Sequence, residues 1–251
     1  MTYKAQFPSR GHVSSTSRGL FAGGYGAGRV NTINFITISS TGDAADFGDL
    51  TERRETAAGG SNGTRGIYAG GFTNPNYQNV IDYVTIASTG DAVDFGDLSD
   101  ARSSAAVCNS TRMVIRLSAR TTTEFITMST TGNSTDFGTI TASYGSASGD
   151  SSTRGIFAGS AASNIMEFIT TATLGNAQDF GDLAQNHIEC GEGACSPTRI
   201  VIPGSFSSNN NPSNTIEYAQ IMTTGNFIDF GDLTLSNNGT SGGSNGHGGL
   251  G

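Results

Sequence analysis

Closely spaced carboxylates are the first residues in this sequence that could support chemistry. Three aspartates occur together at Asp43, Asp46 and Asp49, and the same spacing returns at 91, 94 and 97. Carboxylate oxygens at this density suit a hard cation such as Ca²⁺. However, asparagine replaces the first aspartate in later copies, at 133, 176 and 226, and an aspartate after Thr-Gly commonly caps a turn. We therefore predict a structural role and no metal, with calcium binding as the alternative.

A second possible ligand group contains Cys190, Cys195 and His187. Thiolate and imidazole ligands bind zinc, but a tetrahedral site needs a second pair of ligands. The other histidines, His12 and His247, are distant in the sequence. A chain of 251 residues is also too large to need disulfide bonds for stability. We therefore interpret the three cysteines as buried or unreactive thiols and predict no cofactor.

Residues for enzymatic catalysis are scarce. Lys4 is the only lysine, so the phosphate-binding Gly-x4-Gly-Lys motif is absent. Two carboxyl groups that face one groove could hydrolyse a glycosidic bond, but the acidic residues mostly occupy repeated positions. We predict that the protein is not an enzyme, and glycoside hydrolysis by a repeat protein remains the third interpretation, after the two given below.

Charge and hydropathy argue against two classes of partner. The formal net charge is −8, with 13 basic and 21 acidic residues, which leaves no basic face for phosphates. Nucleic acid is therefore not expected to bind. No apolar run approaches the roughly 20 residues of a membrane-spanning helix, and residues 1–10 lack the apolar centre of a secretory signal. We expect a protein that neither inserts into a membrane nor is exported by a cleaved signal.

The elements that must position these residues belong to a unit that is repeated five times. A Thr/Ser-Arg pair occurs in each unit, with arginines at 18, 65, 112, 154 and 199. An Asp-Phe-Gly triplet closes each unit, with phenylalanines at 47, 95, 137, 180 and 230. Self-similarity of this kind indicates an array of identical structural units.

Each unit reads as a set of β-strands. In the second unit, β-branched and aromatic residues fill 64–71, 79–86 and 92–98, and a further strand fits at 103–109. Gly pairs and Thr-Gly-Asp bound these segments, and no 3.6-residue period is sustained. Four strands are the content of a propeller blade, and a strand that is apolar on both faces needs a neighbour on each side. The sequence therefore predicts an all-β, five-bladed β-propeller of four-stranded antiparallel blades.

The repeat also sets the predicted domain organisation. We expect an N-terminal segment at 1–9, a propeller at 10–235 and a Gly/Ser/Asn-rich tail at 236–251, with units that start near 10, 53, 102, 143 and 186. Segments that resemble a first strand occur at both ends, at 10–16 and 238–246. Because five blades need only one of them, we predict that the C-terminal segment is a spare tail, flexible or docked on a partner.

The order of these motifs resembles the kelch repeat of galactose-oxidase-like propellers. The shared features are an arginine, a hydrophobic strand that ends in Gly-Gly, an Asn-x-Ile-x-Tyr strand and a final aromatic-x-x-Leu, over roughly residues 10–235. Kelch units usually have tryptophan as the final aromatic, whereas this chain has no tryptophan and has phenylalanine there. The leading arginine is also missing from the last two units. The resemblance implies the kelch-like form of the propeller.

The amino-acid sequence of the repeat is also similar to propeller repeats in virion proteins of marine and cyanobacterial tailed phages. The segments that carry this resemblance are Arg-Gly-Ile-Phe-Ala-Gly and Asp-Phe-Gly-Asp-Leu. It implies a structural protein of a capsid surface, tail or fibre, located in the virion and assembled in the host cytoplasm. Its partners would be other virion proteins, host surface glycans or further copies of itself. The alternative is a free, lectin-like carbohydrate-binding propeller.

Recognition is expected where the units differ, because repeated positions maintain a fold while loops on a rigid scaffold bind ligands. The loops between the second and third strands of the units combine aromatic and amide side chains, which suit stacking on sugar rings and bonding to their hydroxyls. The predicted ligand-binding residues are Tyr25, Arg29, Phe72, Asn74, Tyr77, Phe206 and Asn209. Ordinary polar loop tips or contacts between subunits are the alternative.

The five repeated arginines could instead form a ring of guanidinium groups that attracts an anionic sugar or a phosphate. An arginine and an aspartate in every unit are more simply explained by structure. We predict that each arginine makes a repeated salt bridge or a hydrogen bond to a backbone carbonyl.

Overall fold

The chain is an all-β, five-bladed β-propeller. The computed structural model describes residues 18–141, 148–158, 163–189, 193–204, 206–207 and 212–237. Within these ranges all regular structure is β-strand, and the strands form five antiparallel sheets, one for each blade. This confirms the predicted fold class.

The chain forms two compact units. The first unit comprises the described residues up to Ile115 together with Phe125–Thr135. It contains the first blade, in which three strands are described in the order β1-β2-β3: β1 (Arg18–Ala22), β2 (Thr32–Thr37) and β3 (Ala45–Asp49). The second blade has the order β4-β5-β6-β7, with β4 (Ala58–Ser61), β5 (Arg65–Ala69), β6 (Val80–Thr85) and β7 (Val93–Asp97). The first-strand segment predicted at 10–16 lies outside the described residues.

The residues of the third blade are divided between the two units. Its sheet has the order β11-β10-β9-β8, with β8 (Ser104–Cys108), β9 (Arg112–Leu117), β10 (Thr122–Thr127) and β11 (Thr135–Thr139). The strand that the sequence predicts at 103–109 is therefore confirmed as β8. So are those at 64–71, 79–86 and 92–98, which correspond to β5, β6 and β7.

The second unit comprises Arg116–Glu124 and the described residues from Asp136 onward. Its fourth blade is a five-stranded sheet of order β12-β13-β14-β15-β18, with β12 (Ser148–Asp150), β13 (Arg154–Ala158), β14 (Ser163–Thr170), β15 (Gln178–Glu189) and β18 (Phe206–Ser207). Its fifth blade has the order β16-β17-β19-β20, with β16 (Ala194–Cys195), β17 (Arg199–Ile202), β19 (Ser213–Gln220) and β20 (Ile228–Asn237). The predicted tail segment at 238–246 lies outside the described residues.

The second and third blades are buried on both faces. Successive residues of a strand point to opposite faces of the sheet, yet Met113, Val114 and Ile115 of β9 are all 0% exposed. In β6, Ile81 and Val84 are likewise buried, although they face opposite sides. Burial of both faces explains why apolar residues occupy both faces of these strands.

In the second to fifth blades, the turn at the Gly-Asp or Gly-Asn pair binds the Asp-Phe-Gly strand of the preceding blade. Between the first two blades, the Gly90 N–H donates to the Phe47 carbonyl and the Ala92 N–H donates to the Asp49 carbonyl, both at 2.7 Å, and the Asp49 N–H donates to Asp91 Oδ1 at 3.0 Å. We call these three hydrogen bonds the inter-blade latch. The latch recurs three more times, between 95–97 and 132–134, between 137–139 and 175–177, and between 180–182 and 225–227.

The latch explains why either aspartate or asparagine can follow the glycine of this turn. It uses one side-chain oxygen as an acceptor, and Asn133, Asn176 and Asn226 offer Oδ1 in the place of Asp91 Oδ1. An amide oxygen accepts the hydrogen bond as a carboxylate oxygen does. The position therefore requires an acceptor and not a charge.

The variant Asp91→Asn is expected to leave the free energy of unfolding within about 0.5 kcal/mol of the wild-type value, because it keeps the acceptor. Asp91→Ala is expected to lose about 1 kcal/mol, the usual net contribution of one hydrogen bond. Urea unfolding followed by far-ultraviolet circular dichroism measures both. Equal losses for the two variants would show that the carboxylate charge, and not the acceptor, matters at this position.

Candidate binding site

Four of the predicted ligand-binding residues come together in the first unit. The guanidinium carbon of Arg29 lies 5.2 Å from the ring centroid of Tyr25 and 4.6 Å from that of Phe72. The rings of Phe72 and Tyr77 are 5.0 Å apart between centroids and tilted by 48°. We call Tyr25, Arg29, Phe72 and Tyr77 the aromatic row. The sequence grouped these residues as loop positions, and the structure shows that two loops combine them into one surface.

The loop after β1 holds one end of the row. Tyr25 and Arg29 form an isolated antiparallel bridge around the glycine-rich turn, in which the Gly26 N–H donates to the Gly28 carbonyl at 2.9 Å. The Gly24 N–H donates to the Arg54 carbonyl at 2.8 Å and so ties this loop to the chain segment before β4. The bridge places Tyr25 and Arg29 side by side.

The loop after β5 holds the other end. Phe72 bridges both Glu55 and Tyr77, and the paired N–H and carbonyl groups of Phe72 and Glu55 exchange hydrogen bonds of 2.8 and 3.1 Å. The loop itself is closed by a bond of 2.8 Å from the Thr73 N–H to the Asn76 carbonyl. Phe72 is therefore fixed by backbone contacts on both sides, and it connects Arg29 to Tyr77.

Glu55 supplies a counter-charge at the base of the row. Arg29 Nη2 donates to Glu55 Oε1 at 2.5 Å, and the side chains are only 17% and 6% exposed. Arg29 Nε is buried and has no hydrogen-bond partner among the described residues. Pairing with Glu55 and packing against aromatic rings therefore hold the guanidinium group in place.

Sequence reasoning missed Glu55, although a signal was available. The Arg54 carbonyl accepts from Gly24 as the Arg102 carbonyl accepts from Gly71, so these arginines occupy equivalent positions. The residue that follows is glutamate in one unit and Ser103 in the other. A charge that interrupts a repeated position is a marker of a site, and this one lies outside the loops between the second and third strands, where recognition was predicted.

The exposed parts of the row are its two tyrosines. Tyr25 is 52% exposed and Tyr77 is 45% exposed. A tyrosine ring offers an apolar face with a polar hydroxyl at its edge, which suits ligands that combine C–H and O–H groups. The row can therefore stack on such a ligand without enclosing it.

The remaining predicted residues are placed as follows. Asn74 is exposed in the same loop as Tyr77, where it precedes Pro75. Phe206 lies in β18 of the second unit, where its backbone pairs with Glu189. Asn209 lies outside the described residues. The structure thus gathers four of the seven predicted residues and places Asn74 in the same loop as Tyr77.

The repeated arginines are structural in every blade for which the partner is described. The Nη1 groups of Arg18, Arg65 and Arg154 donate to backbone carbonyls of the following blade, at Ile86 (2.9 Å), Met128 (3.0 Å) and Ile221 (3.1 Å). Each guanidinium group also lies 4.3–4.9 Å from the centroid of an aromatic ring. The predicted bond to a backbone carbonyl is confirmed for these three arginines.

Buried acids form a second set of contacts between blades that the sequence did not reveal. The backbone N–H of Thr51 donates to Asp82, that of Thr141 to both oxygens of Glu167, and that of Ala184 to Glu217, at 2.9–3.3 Å. Burial raises the pKa of Glu217, and the hydrogen bond from Ala184 opposes this shift. These carboxyl groups are bonded to the preceding blade and serve the fold.

The described part of the chain contains no cluster of three or more histidine, cysteine, aspartate or glutamate side chains that could hold a metal ion. It therefore offers no ligand set for either calcium or zinc. Asp91, one of the aspartates considered as calcium ligands, accepts a hydrogen bond in the latch. Of the zinc candidates, Cys195 is buried in β16, and Cys190 lies outside the described residues.

No family model matches the chain, and no curated protein matches it. Across the described ranges, no helix has the length and apolar character to cross a membrane.

Proposed function

We propose that this protein is a non-catalytic structural component of a tailed-phage virion, at the particle surface or in a tail or fibre, that contacts host glycans through the aromatic row. The aromatic row carries the glycan part of the proposal. The resemblance of the repeat to kelch-like propellers of phage virions supports the virion part, in which other virion proteins are the permanent partners.

Stacking on a sugar ring is the interaction for which the row is best suited. Two half-exposed tyrosines flank an arginine and a phenylalanine that are held by packing and backbone bonds. Because the loops are fixed by these bonds, little conformational freedom remains to be lost when a ligand binds. Such a surface can hold a flat, C–H-bearing face of a saccharide while its hydroxyls stay in contact with water.

The carboxyl groups at the row favour binding over hydrolysis. Glycoside hydrolysis generally uses two carboxyl groups on either side of the bond that is cleaved. The carboxylate that contacts the row is Glu55, and it is paired with Arg29. The row is therefore better suited to hold a saccharide than to cleave one.

Removing the exposed rings tests the glycan contact. Tyr25→Ala and Tyr77→Ala are each expected to weaken saccharide binding about tenfold, because an aromatic contact is worth up to about 1.5 kcal/mol. A glycan array identifies a bound saccharide, and isothermal titration calorimetry measures its affinity for each variant. Phe230→Ala is the matched control, because Phe230 is 52% exposed in the fifth blade and does not belong to the row. Affinity that is unchanged in both tyrosine variants would refute the assignment of the row.

Particle composition tests the virion part separately. Mass spectrometry of density-purified particles is expected to find the chain in a fixed ratio to the major capsid or tail protein. Absence from particles, together with glycan binding by the free chain, would favour the free lectin-like propeller. That outcome would overturn the structural role but not the binding surface.

A further inference from the structure

The charge of Arg29 is compensated within the row. Its guanidinium group donates to Glu55 Oε1, and the glutamate side chain is only 6% exposed. From this pairing we infer that the row selects neutral saccharides over acidic ones, and that Glu55 is the residue that sets this selectivity. The inference rests on the proposed glycan contact and specifies its ligand class.

The pairing also restricts the ways in which Arg29 can bind an anion. Arginine recognises carboxylate, sulfate or phosphate most strongly through two parallel N–H bonds. Nη2 of Arg29 is already bonded to Glu55, and Nε is buried. The guanidinium group also lies over the rings of Tyr25 and Phe72. An acidic sugar would thus find the strongest anion-binding geometry of this arginine occupied.

The field around the row disfavours an acidic ligand for a second reason. Glu55 cancels the charge of Arg29, so the pair offers no net positive charge to a ligand, and the chain as a whole has a formal net charge of −8. An excess of one sign repels a ligand of the same sign and slows its encounter. A neutral saccharide avoids this cost and keeps the contact with the exposed faces of Tyr25 and Tyr77. Selectivity then arises because no positive charge is left to offset the repulsion by the overall negative charge, and the attraction of Arg29 returns if Glu55 loses its charge.

The first test uses the wild-type protein and an immobilised panel of lactose, 3′-sialyllactose and 3′-sulfolactose. Lactose is expected to bind at least about tenfold more tightly than either acidic derivative, which corresponds to a difference of about 1.4 kcal/mol in binding free energy. Because salt screens repulsion, the affinity for the acidic derivatives is expected to rise between low and high NaCl. Tighter binding of the acidic sugars at low salt, or an affinity for them that falls with NaCl, would overturn the inference.

The second test changes Glu55 alone. Glu55→Gln keeps the size of the side chain but removes its charge, so the acidic derivatives are expected to gain at least about threefold relative to lactose. Asp100→Asn is the matched control, because it removes the same charge from a partly exposed arginine pair, Arg102–Asp100 at 3.3 Å, outside the row. The control is expected to stay within about twofold of the wild type, since surface pairs have weak effects. An equal response of both variants would show that net charge, and not Glu55, determines selectivity.

The outcomes separate this inference from the proposed function. If no saccharide binds, or if Tyr25→Ala and Tyr77→Ala leave binding unchanged, the glycan contact itself is wrong. If binding depends on the tyrosines but shows no preference for the neutral sugar, the inferred selectivity is wrong and the glycan contact stands. Should Glu55→Gln fail to fold, the sugar panel and the salt dependence of the wild-type protein still test the preference for neutral saccharides.

Discussion

Gly181→Ala is expected to destabilise the protein much more than Gly231→Ala, although the two glycines have the same backbone conformation. Their φ angles are +136° and +138°, a region that alanine rarely adopts. A Cβ atom on Gly181 would lie 2.5 Å from the carbonyl carbon and oxygen of Gly225, whereas a Cβ on Gly231 would meet no described atom within 4 Å. The pair of variants therefore separates backbone strain from the contact between blades.

The difference between the two variants measures the latch. Backbone strain of about 1–3 kcal/mol is common to both. In Gly181→Ala the added methyl group must push the turn at Gly225 away, and this disturbs three hydrogen bonds, from Gly225 to Phe180, from Phe227 to Asp182 and from Asp182 to Asn226. At about 1 kcal/mol for each bond, we expect an additional loss of about 2–4 kcal/mol.

Chemical denaturation followed by far-ultraviolet circular dichroism provides both free energies of unfolding. Calorimetry should show the same order of midpoint temperatures, with wild type above Gly231→Ala and Gly231→Ala above Gly181→Ala. If the two variants lose the same free energy, the close approach of neighbouring blades at this glycine contributes nothing to stability.

The second large effect is expected at Asp82, which neutralises a fully buried arginine. Arg54 Nη2 lies 2.6 Å from Asp82 Oδ2, and both side chains are 0% exposed. Asp82 also accepts from Thr51 Oγ1 at 2.7 Å. Burial lowers the pKa of Arg54, and the charges of Asp82 and Glu52 oppose this shift. The guanidinium charge is therefore tolerated inside the fold because a carboxylate is bonded to it.

Asp82→Asn is expected to cost about 3–5 kcal/mol, because it leaves a buried charge without its counter-charge. The control is again Asp100→Asn, whose pair with Arg102 is partly exposed and should contribute no more than about 1 kcal/mol. A double variant, Arg54→Met with Asp82→Asn, should recover part of the loss, since no buried charge remains. Urea unfolding of the four proteins, wild type included, measures these values, and an equal cost for the Asp82 and Asp100 variants would contradict the proposed role of burial.

The sequence alone determined the number of blades and the positions of their strands. Strand positions follow from local chemistry, because β-branched and aromatic runs favour strands and the turn residues between them mark where each strand ends. The strand placed at 103–109 illustrates this, since it appears as β8 at Ser104–Cys108. Repetition adds further weight, because the same pattern appears five times.

Only the tertiary structure decided what each repeated residue contacts. The sequence around Asp91 suggests a turn cap or a metal ligand. In the structure its carboxylate accepts a hydrogen bond from the Asp49 N–H, which lies 42 positions earlier in the chain. The phenylalanines of Asp-Phe-Gly share one motif, yet Phe180 is 1% exposed in the fourth blade and Phe230 is 52% exposed in the fifth. Burial depends on what lies against a blade, and a local pattern does not contain that information.

The binding surface shows the same division. Loop variability in the sequence was enough to select Tyr25, Arg29, Phe72 and Tyr77 as candidates, because exposed aromatics are unusual where a repeat needs only turns. Their assembly into one row, and the pairing of Arg29 with Glu55 across 26 positions, depend on how two blades bring their loops together. Contacts of this range are set by the packing of whole sheets, so only the folded chain shows that the arginine of this site is already neutralised.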